Sequence, residues 1–255
     1  MKLATWNVNS LKVRLPHVID WLAASQPDVL CLQETKLEDS AFPRAEIEQA
    51  GYAPLFAGQK TYNGVAILSR RPATLIAAGI PDFADEQKRL LAAEIDGIEV
   101  VCAYFPNGQA VGSDKYAYKL RWIEALTAWL GRRLQGNPRL ALLGDLNIAP
   151  EDRDVHDPKV WEGQVLCSGP EREAFRGLIG LGLADAFRRF EQPEQSFTWW
   201  DYRMAAFRRN MGLRIDHILL SAELAARCTA CTIDKAPRRL ERPSDHTPVL
   251  CELAS

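Results

Sequence analysis

Seven short apolar runs in this chain each end on, or lead into, a polar residue. In order they are LATWNVN (3–9), VLCLQET (29–35), NGVAILSR (63–70), VVCAYFPN (100–107), LALLGDLN (140–147), RIDHILLS (214–221) and PSDHTPV (243–249). Runs so short and so continuously apolar mark strands buried on both faces. Strands fix direction, so polar side chains at their ends can converge on one rim. Five runs place such a group at or near a strand end: Asn7, Glu34, Tyr104, the Asp145/Asn147 pair and the Asp245/His246 pair, while Asp216 starts a sixth. Oxygen-rich side chains converging on one rim suit a hard divalent cation and a phosphate.

Helical patterns fall between the strands. The apolar spacing in 15–26 predicts a helix. So does 115–134, with Leu120, Ile123, Leu126, Leu130 and Leu134 along one face, and so does 171–182, which ends at a Gly. Asn63-Gly64 reads as a turn between strands and Asp96-Gly97 as a hairpin turn. Strands and helices without strict βαβ alternation argue against a doubly wound sheet. The expected fold is α/β, with two sheets packed face to face and helices outside.

At 255 residues and 47% apolar content the chain needs no disulfide staples, and it reads as one domain over 1–255. Its six cysteines stand singly in apolar runs or late segments, as packed, reduced thiols do. Cys228 and Cys231 form a lone C-x-x-C with no second pair to complete a metal site. The opening MKLATWNVNS carries no long apolar stretch, and no segment has the length to span a bilayer. A cytoplasmic protein is expected. The net charge of −2 is not that of a purely electrostatic nucleic-acid binder. Positive charge is uneven, however. Arg188, Arg189, Arg203, Arg208, Arg209 and Arg214 crowd one stretch, and Lys235, Arg238, Arg239 and Arg242 crowd another just before Asp245. The pattern fits a basic rim around an acidic, metal-holding centre.

Each candidate has its own chemistry. Asp145 and Asn147 lie two apart, so on extended backbone they face the same way; the carboxylate can take a proton from water while the amide holds that water or a phosphate oxygen. The same period puts Asn7 and Asn9 on one face. Glu34 closes a buried strand, which is costly for a carboxylate unless it is paired or on a metal. His246 handles protons near neutral pH and needs a carboxylate to set its tautomer, a role open to Asp216. His217, next to Asp216 on a strand, faces away and reads as structural. The Tyr104 hydroxyl can donate to developing charge. Trp199, Trp200, Leu213 and Ile215 interleave with arginines, as apolar walls for a sugar and cations for flanking phosphates would.

Taken together and in order, WN, QET, NGVAILSR, YFPNG, GDLN, RIDH and SDHTPV resemble the exonuclease III family of abasic-site endonucleases, in the deoxyribonuclease I-like endonuclease/exonuclease/phosphatase superfamily. The resemblance runs from Met1 to about Leu253. It implies a four-layer α/β sandwich of two packed mixed sheets flanked by helices. It implies Mg²⁺ or Mn²⁺ as cofactor, and as substrate double-stranded DNA with abasic sites or blocked 3′ ends, with no membrane partner and a monomeric enzyme. Carried over by position, Glu34 looks like the main metal ligand, with Asn7 and Asp245 nearby and Asp145 and Asn147 beside them. Asp145 looks like the group that activates water, and Asn147 like the one that positions it. Tyr104 and His246 look like phosphate contacts, with Asp216 orienting His246. Trp199, Leu213 and Ile215 resemble the pocket for an abasic sugar, and Asn107, Lys36 and Arg214 the groups that hold DNA. Asn9 stands where some branches carry Asp, and Ser10 where Gly is usual. A phosphatase of lipid or inositol phosphates from the same superfamily is the rival reading; it should lack the tryptophan pocket and the arginine stretches.

Overall fold

The computed structural model describes residues 1–254. It contains two six-stranded mixed sheets and one two-stranded ribbon. The first sheet is built from β1 (Lys2–Asn7), β2 (Val29–Gln33), β3 (Ala53–Ala57), β4 (Val65–Ser69), β13 (Cys228–Ile233) and β14 (Val249–Leu253), in the order β13-β14-β1-β2-β4-β3. The second is built from β5 (Ala73–Ala78), β6 (Leu90–Ile95), β7 (Ile98–Tyr104), β8 (Leu140–Asp145), β9 (Ala184–Asp185) and β12 (Asp216–Leu220), in the order β5-β6-β7-β8-β12-β9. The ribbon pairs β10 (Trp199–Trp200) with β11 (Gly212–Leu213). Each large sheet holds one parallel pair at its centre, β1 with β2 and β7 with β8. A long helix makes each crossover, α1 (Leu11–Ser25) and α3 (Asp114–Gly136). Shorter helices complete the chain: α2 (Arg44–Gln49), α4 (Pro158–Trp161), α5 (Gly169–Gly180) and α6 (Ala222–Arg227).

Three apolar layers follow from strand alternation. Leu3, Cys31, Ile67, Val100, Cys102, Leu143, Ile218 and Cys251 fill the space between the sheets. Their neighbours point outward: Ala4, Trp6, Leu30 and Leu32 pack on Val18, Trp21 and Leu22 of α1. Val101, Leu140, Leu142 and Leu219 pack on Trp122, Leu126, Leu130, Phe175 and Leu178 of α3 and α5. This is the expected sandwich, with helices on both outer faces. Among the described residues no helix is long and apolar enough to cross a membrane.

The Asp96-Gly97 hairpin forms as read: Ile95 pairs with Ile98, and both turn residues have positive φ, 50° and 73°. The turn at Asn63-Gly64 instead closes a seven-residue loop, 58–64, between β3 and β4. Helix α1 starts at Leu11 rather than at 15, because the Ser10 carbonyl closes its first turn by accepting from the N–H groups of Val13 and Arg14. The buried face of α3 keeps Ile123, Leu126 and Leu130 of the expected row but widens to one side of it. Tyr116, Lys119, Trp122, Ile123, Leu126, Trp129 and Leu130 are buried, while Leu120 and Leu134 are only half so. The aromatic rings fill the deep positions, and a charged residue sits where an aliphatic row had been expected.

Two backbone positions can be tested in opposite directions. A Cβ on Gly144 would lie 1.8 Å from the Ala103 carbonyl oxygen of the adjoining strand. Gly144→Ala should therefore cost roughly 3 kcal/mol or more in urea unfolding; an unchanged midpoint would mean the strands have room that the geometry denies. Ser10 holds φ at 88° with no side-chain hydrogen bond to offset the strain. Ser10→Gly should stabilise by about 0.5–1 kcal/mol in the same assay, relief of strain outweighing the added freedom of the unfolded chain.

Candidate active site

Alternation places the polar groups. On β1, β7, β8 and β12 the inward positions run on to Asn7, Tyr104, Asp145 and Asp216, all at the same rim. Register confirms the neighbourhood, since Asp145 pairs with Tyr104 on one side and with Asp216 on the other. Glu34 follows the last residue of β2 with φ at 52°, which swings its side chain back over the rim. His246 enters from the loop before β14 and bridges to Trp199.

These residues form one connected cluster. The Asn7 amide donates to Glu34 Oε1 at 2.8 Å and to Asp145 Oδ2 at 2.9 Å. The His246 ring donates from Nδ1 to Asp216 at 2.8 Å, while its Nε2 stands 3.7 Å from Asp145. One ligand atom each from Glu34, Asp145 and His246 can lie within 4.8 Å of the others. Lys36 pairs with the second Glu34 oxygen at 2.8 Å and donates to Asn9 at 2.6 Å.

Electrostatics separate the roles. Burial pushes Asp145 up to about 7, with Asp216 and Glu34 adding to the rise and His246 and the Asn7 hydrogen bond opposing it. Burial alone would discharge His246, but Asp216, Asp145 and Asp245 outweigh it and hold the imidazolium, up to about 10. With Nδ1 held by Asp216, the His246 Nε2 is the ring atom left to donate a proton toward the rim. Burial, then the charges of Glu34 and Asp145, keep the Tyr104 hydroxyl protonated well past its usual range, so it too is a donor. The carboxylate oxygens of Glu34 and Asp145 suit a hard divalent cation rather than a soft metal.

Asn147 and Asn9 reach the rim by a different route from the one expected. Neither continues a strand: both have positive φ, 48° and 42°. In each case the backbone N–H returns to the side chain two residues back, Asp145 Oδ1 at 3.0 Å and Asn7 Oδ1 at 2.9 Å. Matching Asx turns thus end β8 and β1. Asn7 Oδ1 accepts from the Asn9 N–H, while the Asn7 amide nitrogen braces the two carboxylates. Asp245 also stands outside the three-residue group. It accepts from Trp199 Nε1 at 3.0 Å and Asn9 Nδ2 at 2.9 Å, and so it sets the plane of the indole.

Of the expected pocket residues, Trp199 alone reaches the surface. Leu213 and Ile215 are closed to solvent at 0% and 2% exposure, and with Val155 and Leu166 they form the layer beneath the indole. They support the ring instead of lining an open cavity. Arg214 is a firmer correction. It is buried, bonded to Asp154 at 2.7 Å and Asp185 at 2.8 Å, and donates to His217, which donates in turn to the Ile148 carbonyl. With its donors spent inside, it cannot hold a phosphate; it locks the segment that carries Asp216. Arg188 also turns inward, onto Asp154, and Arg238 is buried against the Tyr202 and Phe207 rings. The exposed arginines of the two basic stretches are Arg189, Arg203, Arg208, Arg209, Arg239 and Arg242, with Arg203 paired to Asp201 at 3.0 Å. On the other side, exposed Asn107 donates to Asn147 Oδ1 at 3.3 Å. Asn107 borders a groove of about 660 Å³ that includes Tyr62, Arg89, Tyr104, Lys115 and Tyr118. The apolar runs supplied Tyr104 and Asn107 to that groove, while Tyr62, Arg89, Lys115 and Tyr118 come from outside them.

This fold and site define a class. The chain matches the model of the Endonuclease/Exonuclease/phosphatase family over residues 4–246, and it belongs to that family. It is 36% identical over 266 residues to exodeoxyribonuclease III of Haemophilus influenzae, with 99% of each chain covered. Its structure is similar to that of the 3′ phosphatase NExo from Neisseria bound to a product DNA hairpin, at 45% identity and a TM-score of 0.98, each chain covered in full. It is also similar to an AP endonuclease from Archaeoglobus fulgidus, at 39% identity and a TM-score of 0.96, again over the whole of both chains.

The Arg214 network makes a pH prediction. Burial by itself would raise Asp154 and Asp185, but the Arg214 charge outweighs it and holds both below the usual carboxylate range. Their contribution is fully present above the unfolded value near ~3.9 and is lost as pH falls below it. Asp185→Asn should cost about 3 kcal/mol at pH 7, and the gap to wild type should narrow below about pH 4. Urea unfolding of both proteins from pH 3 to 7 measures this; a gap that stays constant would sink the ionic explanation.

Proposed function

We propose that this chain is a metal-dependent phosphodiesterase of DNA repair. It cuts duplex DNA 5′ to an abasic site to leave a 3′-hydroxyl, and it also trims blocked 3′ ends and removes nucleotides 3′ to 5′. The observation that carries the reading is the joining of Glu34, Asp145, Asp216 and His246 into one cluster beside the half-exposed Trp199. The names of the relatives support it: an exodeoxyribonuclease, a 3′ phosphatase bound to DNA and an AP endonuclease.

Hydrolysis of a phosphodiester needs an activated water, charge relief on the phosphate and help for the leaving oxygen. Asp145 is the base that takes a proton from water, and Asn147 holds that water in line. Charged His246, kept so by Asp216, donates to a non-bridging oxygen, and Tyr104 donates from the other side. A divalent cation, Mg²⁺ or Mn²⁺, held by Glu34 with Asp145, would neutralise charge developing on the phosphate and the leaving oxygen. Trp199 packs against the sugar that lacks a base. Lys36, Asn107 and the exposed arginines hold flanking phosphates. Six free, buried cysteines suit a reducing cytoplasm. One chain supplies every site residue, which suits a monomer.

The reading as a lipid or inositol phosphatase shares the carboxylate cluster but has no use for Trp199 or the arginine rim. The test is an end-labelled duplex with a single tetrahydrofuran abasic mimic, beside an undamaged duplex, in Mg²⁺ and in EDTA. One cut at the mimic is expected, lost in EDTA and restored by Mg²⁺ or Mn²⁺, with Asp145→Asn slower by ~10³-fold or more. An intact mimic beside an active control enzyme would refute the endonuclease reading. Laddering of both duplexes without that cut would leave an exonuclease.

A further inference from the structure

We infer that Lys119 is a positioning residue for Asn147, acting from behind the site; this rests on the function proposed above. Lysine is almost never fully buried unless paired, yet Lys119, in the second turn of α3, is 0% exposed. All three of its donors are used. They go to Glu171 Oε1 at 2.5 Å, to the Asn147 carbonyl at 2.6 Å and to the Asn107 carbonyl at 3.2 Å. Both carbonyls belong to residues at the lip of the site, on separate loops. One ammonium therefore ties the loop after β7 to the loop after β8.

The anchor is itself fixed. Glu171 is 0% exposed and accepts from the N–H groups of Leu166 and Ser168 at 2.9 and 3.1 Å, and from the Ser168 hydroxyl at 2.5 Å. That is the capping box at the start of α5. Strain lies at the other end. Asn147 holds φ at 48°, a conformation sparsely populated by residues other than glycine. Its side chain is also pinned, donating to the Phe105 carbonyl at 3.0 Å and accepting from Asn107. A buried ion pair is a weak source of stability in itself. Here the ammonium, neutralised by Glu171, donates to the carbonyl of a residue at positive φ, so its use is to hold the Asn147 amide where a water or phosphate oxygen meets it.

The test compares wild type, Lys119→Met, Lys119→Met with Glu171→Gln, Asn147→Ala, and Lys119→Met with Asn147→Ala. The Glu171→Gln change removes the carboxylate that Lys119→Met would leave buried and unpaired, so at least one variant folds with native-like thermal unfolding. In that variant kcat on the abasic duplex should fall ~10–100-fold, with KM within ~3-fold. Adding Lys119→Met to Asn147→Ala should slow the enzyme no further, since one residue acts through the other. Amide hydrogen exchange at Asn147 and Ile148 should rise at least tenfold, with β8 protected as in wild type. Wild-type kcat in the folded variant, or additive losses in the double variant, would reduce Lys119 to a structural ion pair. A wild type that leaves the abasic duplex intact would overturn the functional reading instead, and exchange at Asn147 would still decide the positioning claim.

Discussion

Both faces of the central strands are closed to water, one by the opposite sheet and one by helices, and the rest of the molecule follows from that. A strand so placed can carry polar side chains only where a partner waits. The interior obeys this: Thr5 donates to Gln33 at 3.1 Å, Gln33 to the Cys102 sulfur, and the Cys102 thiol to the Leu32 carbonyl. This polar thread runs between the sheets beside the rim. At the rim the strands stop, and four of them leave inward-facing polar groups a few ångströms apart. The site is thus the open end of the inter-sheet core, and its rigidity is that of the sheets.

Charge is concentrated at that end. Asp216, Asp145 and Asp245 surround His246, and their combined field favours the protonated imidazole against its burial. Burial raises the affinity of Asp145 for a proton, and repulsion from Asp216 and Glu34 adds to the rise. A divalent cation relieves the same repulsion, which is why the cluster suits one. The net charge of −2 says little about this. The acidic centre and the outward arginines are separate local fields, and a phosphate-bearing chain would meet the second before the first.

The positions of the rim residues were legible because strand alternation is a local rule. Asn7, Tyr104, Asp145 and Asp216 sit where a period of two puts them, and the Asp96-Gly97 turn forms as its two residues dictate. The rule failed at Asn147 and Asn9, where a side chain two residues back captured the backbone and ended the extended chain. On α3 the apolar spacing found Ile123, Leu126 and Leu130, but bulkier rings took the other deep positions in place of Leu120 and Leu134 and brought Lys119 in with them. Arg214, Leu213 and Ile215 were read as facing DNA because of what stands beside them in the chain, whereas all three face the interior.

What the sequence determined by itself was the central strands β1, β2, β4, β7, β8 and β12, their burial and the chemical types at their ends, since each rests on neighbours one to four residues away. What only the tertiary structure decided was the partner of each charge. Arg214 meets Asp154 across 60 residues and Lys119 meets Glu171 across 52. A buried cation and a solvated one look alike in a chain. Only packing, which strips water from one and supplies its counter-charge, separates a structural arginine from one free to meet phosphate.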